Sequence, residues 1–424
     1  MPQIRVLQVM EQCNPEWPSV PLVAFRFFDG ISRLVKVTLV THERNYPALE
    51  KVRGDREIIY MPESSAIRRY YAAVARATSR GGVNWPLQHA LSYPVYAQFN
   101  RSIYDHFAGR VRQGDFDVVH VLTPMLPRYP AKLIEACRSA RPKVPFILGP
   151  VNGGVPFPSG FGQVARKEYA HYNFLRLFSR LLPGYATTYR QADCVLSGST
   201  FTRDMLIRTL GLRPNRIRLF PENGVDESFF FRKTGEPAEK TPLRLLFVGR
   251  LTAYKGADML LEAVAHLEGE VRKRVQLTLV GDGPERENLN RLIKLLNLEP
   301  TVILTGWVTQ DQTDHYYRQA DIFCFPSIRE FGGAVVLEAM AHSLPCIVVD
   351  NGGIAEYVTP DCGFKVGPRS RDFIVEAFAR EITRLVSDHG LRARLGTGAF
   401  ERGRSFSWAA KAQQVVELYR EFRP

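Results

Sequence analysis

The sequence predicts an α/β protein made of two doubly wound, Rossmann-like domains with parallel sheets, and three observations support this. The chain has 424 residues, too many for one ordinary core when domains run roughly 100–200 residues. Short apolar runs alternate with amphipathic helical stretches in two successive cycles, the pattern of parallel strands joined by crossover helices. Between the cycles lies FRKTGEPAEKTPLR (231–244), polar and broken by two prolines and a glycine, which reads as an interdomain linker.

The first cycle carries candidate strands at IRVLQVM (4–10), VKVTLVT (35–41), DVVHVL (117–122), PFILGP (145–150) and CVLSGS (194–199). The second carries LRLLFVGR (243–250), VQLTLVG (275–281), VILTGWV (302–308), DIFCFPS (321–327) and PCIVVD (345–350), with helices near 256–268, 285–296, 311–319 and 333–343. The last segment, FSWAAKAQQVVELYREF (406–422), has apolar positions at helical spacing and predicts a long terminal helix. The resulting division is 1–232, 233–404 and a terminal helix in 405–424.

Hydrophobic residues form 45% of the chain and charged residues 23%, a globular balance that excludes disorder and fibrous repeats. No run approaches the roughly 18–20 apolar residues that span a bilayer, and the start lacks the apolar core of a signal peptide. A soluble, cytoplasmic protein is expected. Six scattered cysteines include no CxxC pair, so neither a zinc site nor a disulfide framework is expected.

The net charge of +13 is concentrated. Between Ser64 and Tyr104 stand Arg68, Arg69, Arg76, Arg80 and Arg101 with no acidic residue, and Arg166–Arg190 holds five basic residues against Glu168 alone. Such stretches fit a polyanionic partner or simply a solvated basic surface. In SSAIRRYYAAVARATSR (64–80), Ile67, Tyr70, Tyr71 and Val74 lie near one helical face with arginines around it. That helix suits either peripheral docking on an anionic membrane or packing on the first sheet. No nucleic-acid recognition module accompanies the charge.

Ligands of open parallel sheets bind at the carboxyl ends of the strands, so the loops following the apolar runs carry the chemistry. In the second cycle these are GRLTAYKG with Arg250 and Lys255, GDGP beginning at Gly281, GWV with Trp307 and Val308, and PSIREFGGAVVLEAMAHSLP with Glu330 and Glu338 separated by seven residues. A planar guanidinium and a compact ammonium suit diphosphate oxygens. Gly332 and Gly333 precede a helical run whose first N–H groups and dipole favour an anion. Together these would stabilise a departing diphosphate, the difficult charge in glycosyl transfer. Glu330 is then placed for sugar hydroxyls and Glu338 for ribose hydroxyls. The scheme requires no metal and no cofactor, the donor being a substrate. Asp115 and Asp117 in GDFDVV precede a strand, so they read as surface charge. GxGxxG after the first strand and a GKS or GKT loop are both missing, which excludes the common dehydrogenase and P-loop readings.

The second half, from about Leu243 to Tyr357, resembles the family 4 glycosyltransferases, retaining enzymes of the GT-B fold with two Rossmann-like domains facing a central cleft. The resemblance runs through VGRLTAYKG, LVGDGPERENL, ILTGWV, ADIFCFPS, EFGGAVVLEAMAHSLPCIVV and NGGIAEYV. It implies that Arg250 and Lys255 hold the donor diphosphate, that Glu330 contacts the transferred sugar and that Glu338 binds the ribose. It further implies that backbone at Phe331, Gly332, Gly333 and Ala334 assists the phosphate, that Trp307 and Val308 face the base, and that the terminal helix crosses back to the first domain. His120, closing DVVHV, resembles a family histidine near the reacting sugar; a strand-end packing role is its alternative. LGPVNGG (148–154) and PENGVD (221–226) resemble family loops and read equally well as turns. Phe331 stands where a small residue is common, AHSLP replaces a form with glycine, so that His342 reads as a helix-end packing residue, and the first strand lacks the family's paired glycines. Implied partners are a sugar nucleotide and a glycan, lipid-linked or small-molecule acceptor, with surface polysaccharide synthesis one setting. A sugar-nucleotide epimerase, a phosphorylase or a non-catalytic sugar-nucleotide-binding protein would share the fold.

Overall fold

The computed structural model describes residues 3–78, 85–168, 170–233 and 242–423; Arg80 and the centre of the linker (234–241) lie outside them. The chain divides into two compact units. One comprises Met1–Gly154, Tyr169–Glu222 and Trp408–Pro424, the other Val155–Glu168 and Asn223–Ser407.

In the first unit seven strands form a parallel sheet: β1 (Arg5–Met10), β2 (Lys36–His42), β3 (Glu57–Met61), β4 (Val118–Thr123), β5 (Phe146–Val151), β6 (Cys194–Ser197) and β7 (Ile217–Leu219). Their order is β3-β2-β1-β4-β5-β6-β7, which reverses direction between β1 and β4, the position where doubly wound sheets open a crevice. Every residue of β4, β5 and β6 is buried, as expected for strands covered by helices on both faces. One face packs the helix Val20–Ser32 with the terminal helix Trp408–Phe422, which places Ala412, Val415, Val416 and Tyr419 in the core. The helices approach so closely that a Cβ on Gly30 would lie 2.9 Å from Ala412 Cβ.

The second unit has six parallel strands, β8 (Leu243–Val248), β9 (Val275–Val280), β10 (Val302–Gly306), β11 (Ile322–Phe325), β12 (Cys346–Val349) and β13 (Gly363–Val366), in the order β10-β9-β8-β11-β12-β13. Here the reversal falls between β8 and β11, so the loops after these two strands open side by side.

All ten strands read from the sequence are present, trimmed at their ends. The three unread strands, β3, β7 and β13, each lie at a sheet edge. Edge strands are short and partly polar because one side meets solvent, so they lack the continuous apolar run of a central strand. The helix Ser65–Thr78 buries Val74 and Thr78 and half-buries Ile67 and Tyr71, which turns that stripe inward. Asp117 is bonded to Arg5 and Asp115 to Arg110. The six cysteines are buried and unbridged, and no helix among the described residues is long and apolar enough to cross a membrane.

Candidate functional site

The carboxyl edge of the second sheet is assembled by glycines that let neighbouring loops touch. Leu251 N–H donates to the Asp282 carbonyl at 2.9 Å and Gly249 N–H to the Val280 carbonyl at 3.0 Å, which ties the loops after β8 and β9 together. Gly281 has φ +135°, and a Cβ there would lie 2.1 Å from the Gly249 carbonyl oxygen, so no other residue fits. Its N–H reaches the Gly306 carbonyl at 3.0 Å, bringing in the loop after β10. That loop presents Trp307, three-quarters exposed, beside half-buried Val308. A free indole face at this edge suits stacking on a planar ring.

Lys255 ends the short turn Ala253–Lys255 that leads into the helix Ala257–Ala265. Its ammonium is ion-paired with the Glu330 carboxylate and lies over the rings of Tyr254 and Phe325 at 5.3 and 5.0 Å. Burial alone would pull the Lys255 pKa down, but Glu330, Tyr254 and Glu168 outweigh it and hold the ammonium above its ordinary value. Lys255 is therefore a fixed positive charge at neutral pH. Ser327 Oγ also donates to Glu330, at 3.4 Å.

The Glu330 backbone is clamped from behind. Its carbonyl accepts from Gly353 N–H at 2.9 Å and pairs with Gly352, where a Cβ would come within 2.0 Å of the Glu330 oxygen. Gly333, φ +61°, heads the helix Ala334–Ala341, and the three preceding residues, Glu330, Phe331 and buried Gly332, form the approach to it. The Arg329 guanidinium lies 4.9 Å from the Phe331 ring. Glu338 sits one turn inside this helix, where its Oε2 accepts from the buried Tyr317 hydroxyl at 2.9 Å. Burial raises the Glu338 carboxyl above its ordinary value, with Tyr317 working the other way and Asp226 reinforcing it. His342 follows the helix, fully buried, bonded to the Glu338 carbonyl and to Asp314 at 2.8 Å each, the packing role read for it.

Arg250 is exposed, and its charge acts on Glu168. Glu168 ends a segment that sequence reasoning had not connected with this edge. Val155–Glu168 belongs to the second unit, where Arg329 Nε donates to the Val155 carbonyl at 2.9 Å and Phe161 enters the core. Lys167 pairs with Glu285 at 3.0 Å. Burial raises the Glu168 carboxyl, while Arg250 and Arg329 pull against it. No signal in the sequence points to this segment, because its partners Arg250, Glu285 and Arg329 lie some eighty or more residues away. Ser327, Tyr317, Gly352 and Gly353 were also missed as supports; the NGGIAEYV motif is the one signal that marks the last two.

His120 lies in the other unit. Its ring is fully buried, with Nδ1 2.6 Å from the Tyr419 hydroxyl and Nε2 2.7 Å from the Gly149 carbonyl. A carbonyl can only accept, so Nε2 carries the proton and Nδ1 accepts from Tyr419. Burial pulls the ring to about 4, against the Gly149 bond. Neither nitrogen is open to a substrate, and these are the surroundings of the strand-end packing alternative.

Two doubly wound units, one of which gathers a fixed cation, two carboxylates and a glycine-headed helix at its sheet edge, make up a GT-B fold. Two family models match the chain. Glycosyltransferase Family 4 takes in residues 23–229 and Glycosyl transferases group 1 takes in 229–402. The chain belongs to the family 4 type of glycosyltransferases. A D-inositol 3-phosphate glycosyltransferase of Streptomyces bingchenggensis is 32% identical over 248 residues, 54% of this chain and 53% of that protein. The alpha-D-kanosaminyltransferase of Streptomyces kanamyceticus is 27% identical over 61% of this chain and 69% of its own length. The chain thus spans about half the length of the first of these curated relatives. Among solved structures, a glycosyltransferase from Rickettsia africae superposes with TM-score 0.60 at 18% identity, covering 100% of this chain and 99% of that one. Anabaena HepE in complex with UDP gives 0.61 at 16%, covering 99% and 100%.

Proposed function

We propose that the chain transfers a glycosyl group from a nucleoside diphosphate sugar to a glycan, lipid-linked glycan or small-molecule acceptor, with retention of configuration and without a metal ion. The observation that carries this reading is the joining of Lys255, Glu330 and the Gly333-headed helix at one sheet edge. In the reaction the bond from the anomeric carbon to the diphosphate oxygen breaks, its electron pair leaving with the diphosphate, as the acceptor hydroxyl oxygen bonds to that carbon on the same face and gives its proton to the departing diphosphate. Negative charge then grows on the diphosphate, where Lys255, Arg250 and the helix N-terminus offset it without reorganising. Glu330, freed from Lys255 as the diphosphate engages that ammonium, accepts hydrogen bonds from the sugar hydroxyls. The Glu338 oxygen not used by Tyr317 accepts from the ribose, and Trp307 with Val308 covers the base. His120 is given no catalytic part; its role is to hold the first unit's core.

Calorimetry with UDP, GDP and ADP in the presence of chelator tests donor binding, with UDP tried first because HepE is solved with it. Loss of all binding on removing metal would overturn metal independence. Incubation with a panel of mass-distinguished sugar nucleotides and acceptors should yield a glycosidic product; a free epimerised sugar nucleotide instead would replace transfer with epimerisation. A product whose linkage is inverted relative to the donor would refute retention. A lipid-linked acceptor would set the protein on the cytoplasmic face of a membrane, in surface polysaccharide assembly.

A further inference from the structure

We infer that the first unit carries a built docking face for an anionic lipid bilayer, centred on the segment Ala170–Leu181 rather than on the helix Ser65–Thr78. The inference deepens the lipid-linked reading of the acceptor, since it supplies a surface on which such an acceptor is met, and it is tested separately from donor chemistry.

Three observations carry it. First, Phe174, Phe178 and Leu181 are 54%, 55% and 77% exposed on one short 3-10 segment, in which Phe178 and Leu181, three apart, share a face. The two phenyl rings pack edge to face on each other at 6.4 Å, which leaves their outer surfaces in water. Three large apolar side chains this exposed on one short segment are uncommon on a monomer's surface.

Second, the neighbouring helices extend the patch. The helix Trp85–Leu91 packs against both the Ala170–Leu181 segment and the helix Ser65–Thr78. Leu91 is exposed at its end, with its carbonyl accepting from the hydroxyl of exposed Tyr70 at 2.9 Å. A tyrosine with an apolar body and a polar tip beside aliphatic and phenyl groups is the composition of an interfacial surface.

Third, the sequence stretches that supply this face are basic. No acidic residue occurs from Ser64 to Tyr104 or from Tyr169 to Ala192, the stretches that supply these elements. Arg69, Arg76, Arg101 and Arg180 are exposed on them, while Arg68 leans on Glu43 at 2.6 Å. A protein partner would need a matching acidic patch of fixed shape. A sheet of lipid phosphates matches a diffuse ring of arginines around an apolar centre without one. Of the stripe first read as membrane-facing, Ile67, Tyr70, Tyr71 and Val74, all but Tyr70 are half-buried or buried, and only exposed Tyr70 joins the patch.

The test is co-sedimentation of the full chain with vesicles of phosphatidylcholine alone, and of equal parts phosphatidylcholine and phosphatidylglycerol, at low and physiological salt. Salt-sensitive binding to the mixed vesicles only is expected. Replacing Phe174, Phe178 and Leu181 together by serine should weaken it by roughly tenfold or more. Arg69→Glu with Arg180→Glu should weaken it by at least about fivefold per arginine. All five side chains are exposed, so both variants should melt with the wild type; were the serine variant to misfold, the charge variant decides. Wild type remaining in the supernatant with mixed vesicles at low salt overturns the inference. So does binding that neither variant weakens, or a wild-type dimer in sedimentation equilibrium that the serine variant abolishes while vesicle binding is absent. UDP calorimetry on the same variants separates the two proposals, because loss of vesicle binding should leave nucleotide affinity unchanged.

Discussion

Replacing Lys411 by methionine should remove a rise in stability with pH that the wild-type chain shows between about pH 7 and 10.5. Lys411 lies on the terminal helix and is 1% exposed. Its ammonium donates to the Pro221 carbonyl at 2.5 Å and sits 3.9 Å from the centre of the Phe220 ring and 5.6 Å from that of Phe27. Burial pulls its pKa from 10.5 down to about 7, against the opposing charge of Glu222. Below about pH 7 the ammonium is charged in both states, and the folded state bears the full burial penalty. Above it the folded state sheds a proton that the unfolded chain keeps until about 10.5, so stability climbs by up to ~1.4 kcal/mol per pH unit. From about pH 6 to pH 9 the gain integrates to about 2.6 kcal/mol. Urea melts of wild type and Lys411→Met at pH 6, 7, 8 and 9 isolate this residue, since all other titrations cancel in the difference. The variant's advantage should shrink by about that amount across the series. A difference that stays constant with pH would refute the reasoning, because it would mean the buried amine does not titrate there.

Glu330→Gln should cut turnover by roughly a hundredfold or more while UDP affinity stays within a few-fold; equal losses in both would remove its assigned contact with the sugar. Glu338→Ala should weaken UDP binding by about 1.5–3 kcal/mol, the scale of a hydrogen bond to a charged group, and unchanged calorimetry would count against ribose binding. Tyr419→Phe leaves His120 Nδ1 buried without its donor and should cost about 1–3 kcal/mol in denaturant melts; a neutral effect would show that the bond is not formed. Gly333→Ala puts a Cβ 2.3 Å from Ile354 Cγ2 at φ +61°. It should lower the melting temperature and UDP affinity together, by more than the ~1–2 kcal/mol of the backbone conformation alone.

The fold was legible because central strands of a parallel sheet are apolar throughout, as in DIFCFPS and PCIVVD, and such runs announce themselves. What escaped notice is of two kinds. The edge strands β7 and β13 are three and four residues long with two apolar residues each, and β3, though apolar in EIIYM, is only five residues long. The segment Val155–Glu168 sits in the second unit although its sequence neighbours sit in the first, and no local pattern records which of two sheets a loop will join. The sequence boundary near Lys233 likewise marks where composition changes, whereas the chain enters the second unit at Asn223.

The candidate site divides along the same line. Residue type and strand-end position led to Lys255, Glu330, Gly333 and Glu338, because an open sheet sends its loops to one edge whatever their length. Position could not say which side chains meet. Lys255 and Glu330, read as holding different parts of one ligand, are bonded to each other in this chain, so on the proposed reading a diphosphate would exchange one ion pair for another. Two opposite charges stay partly buried side by side because each satisfies the other. His120 shows the converse. Its residue type suits a site role, while in the fold it lies inside β4, where Tyr419, almost three hundred positions away, bonds one ring nitrogen. The surroundings of a histidine on a buried strand are set by the terminal helix that covers it, and that packing is a tertiary fact with no local trace.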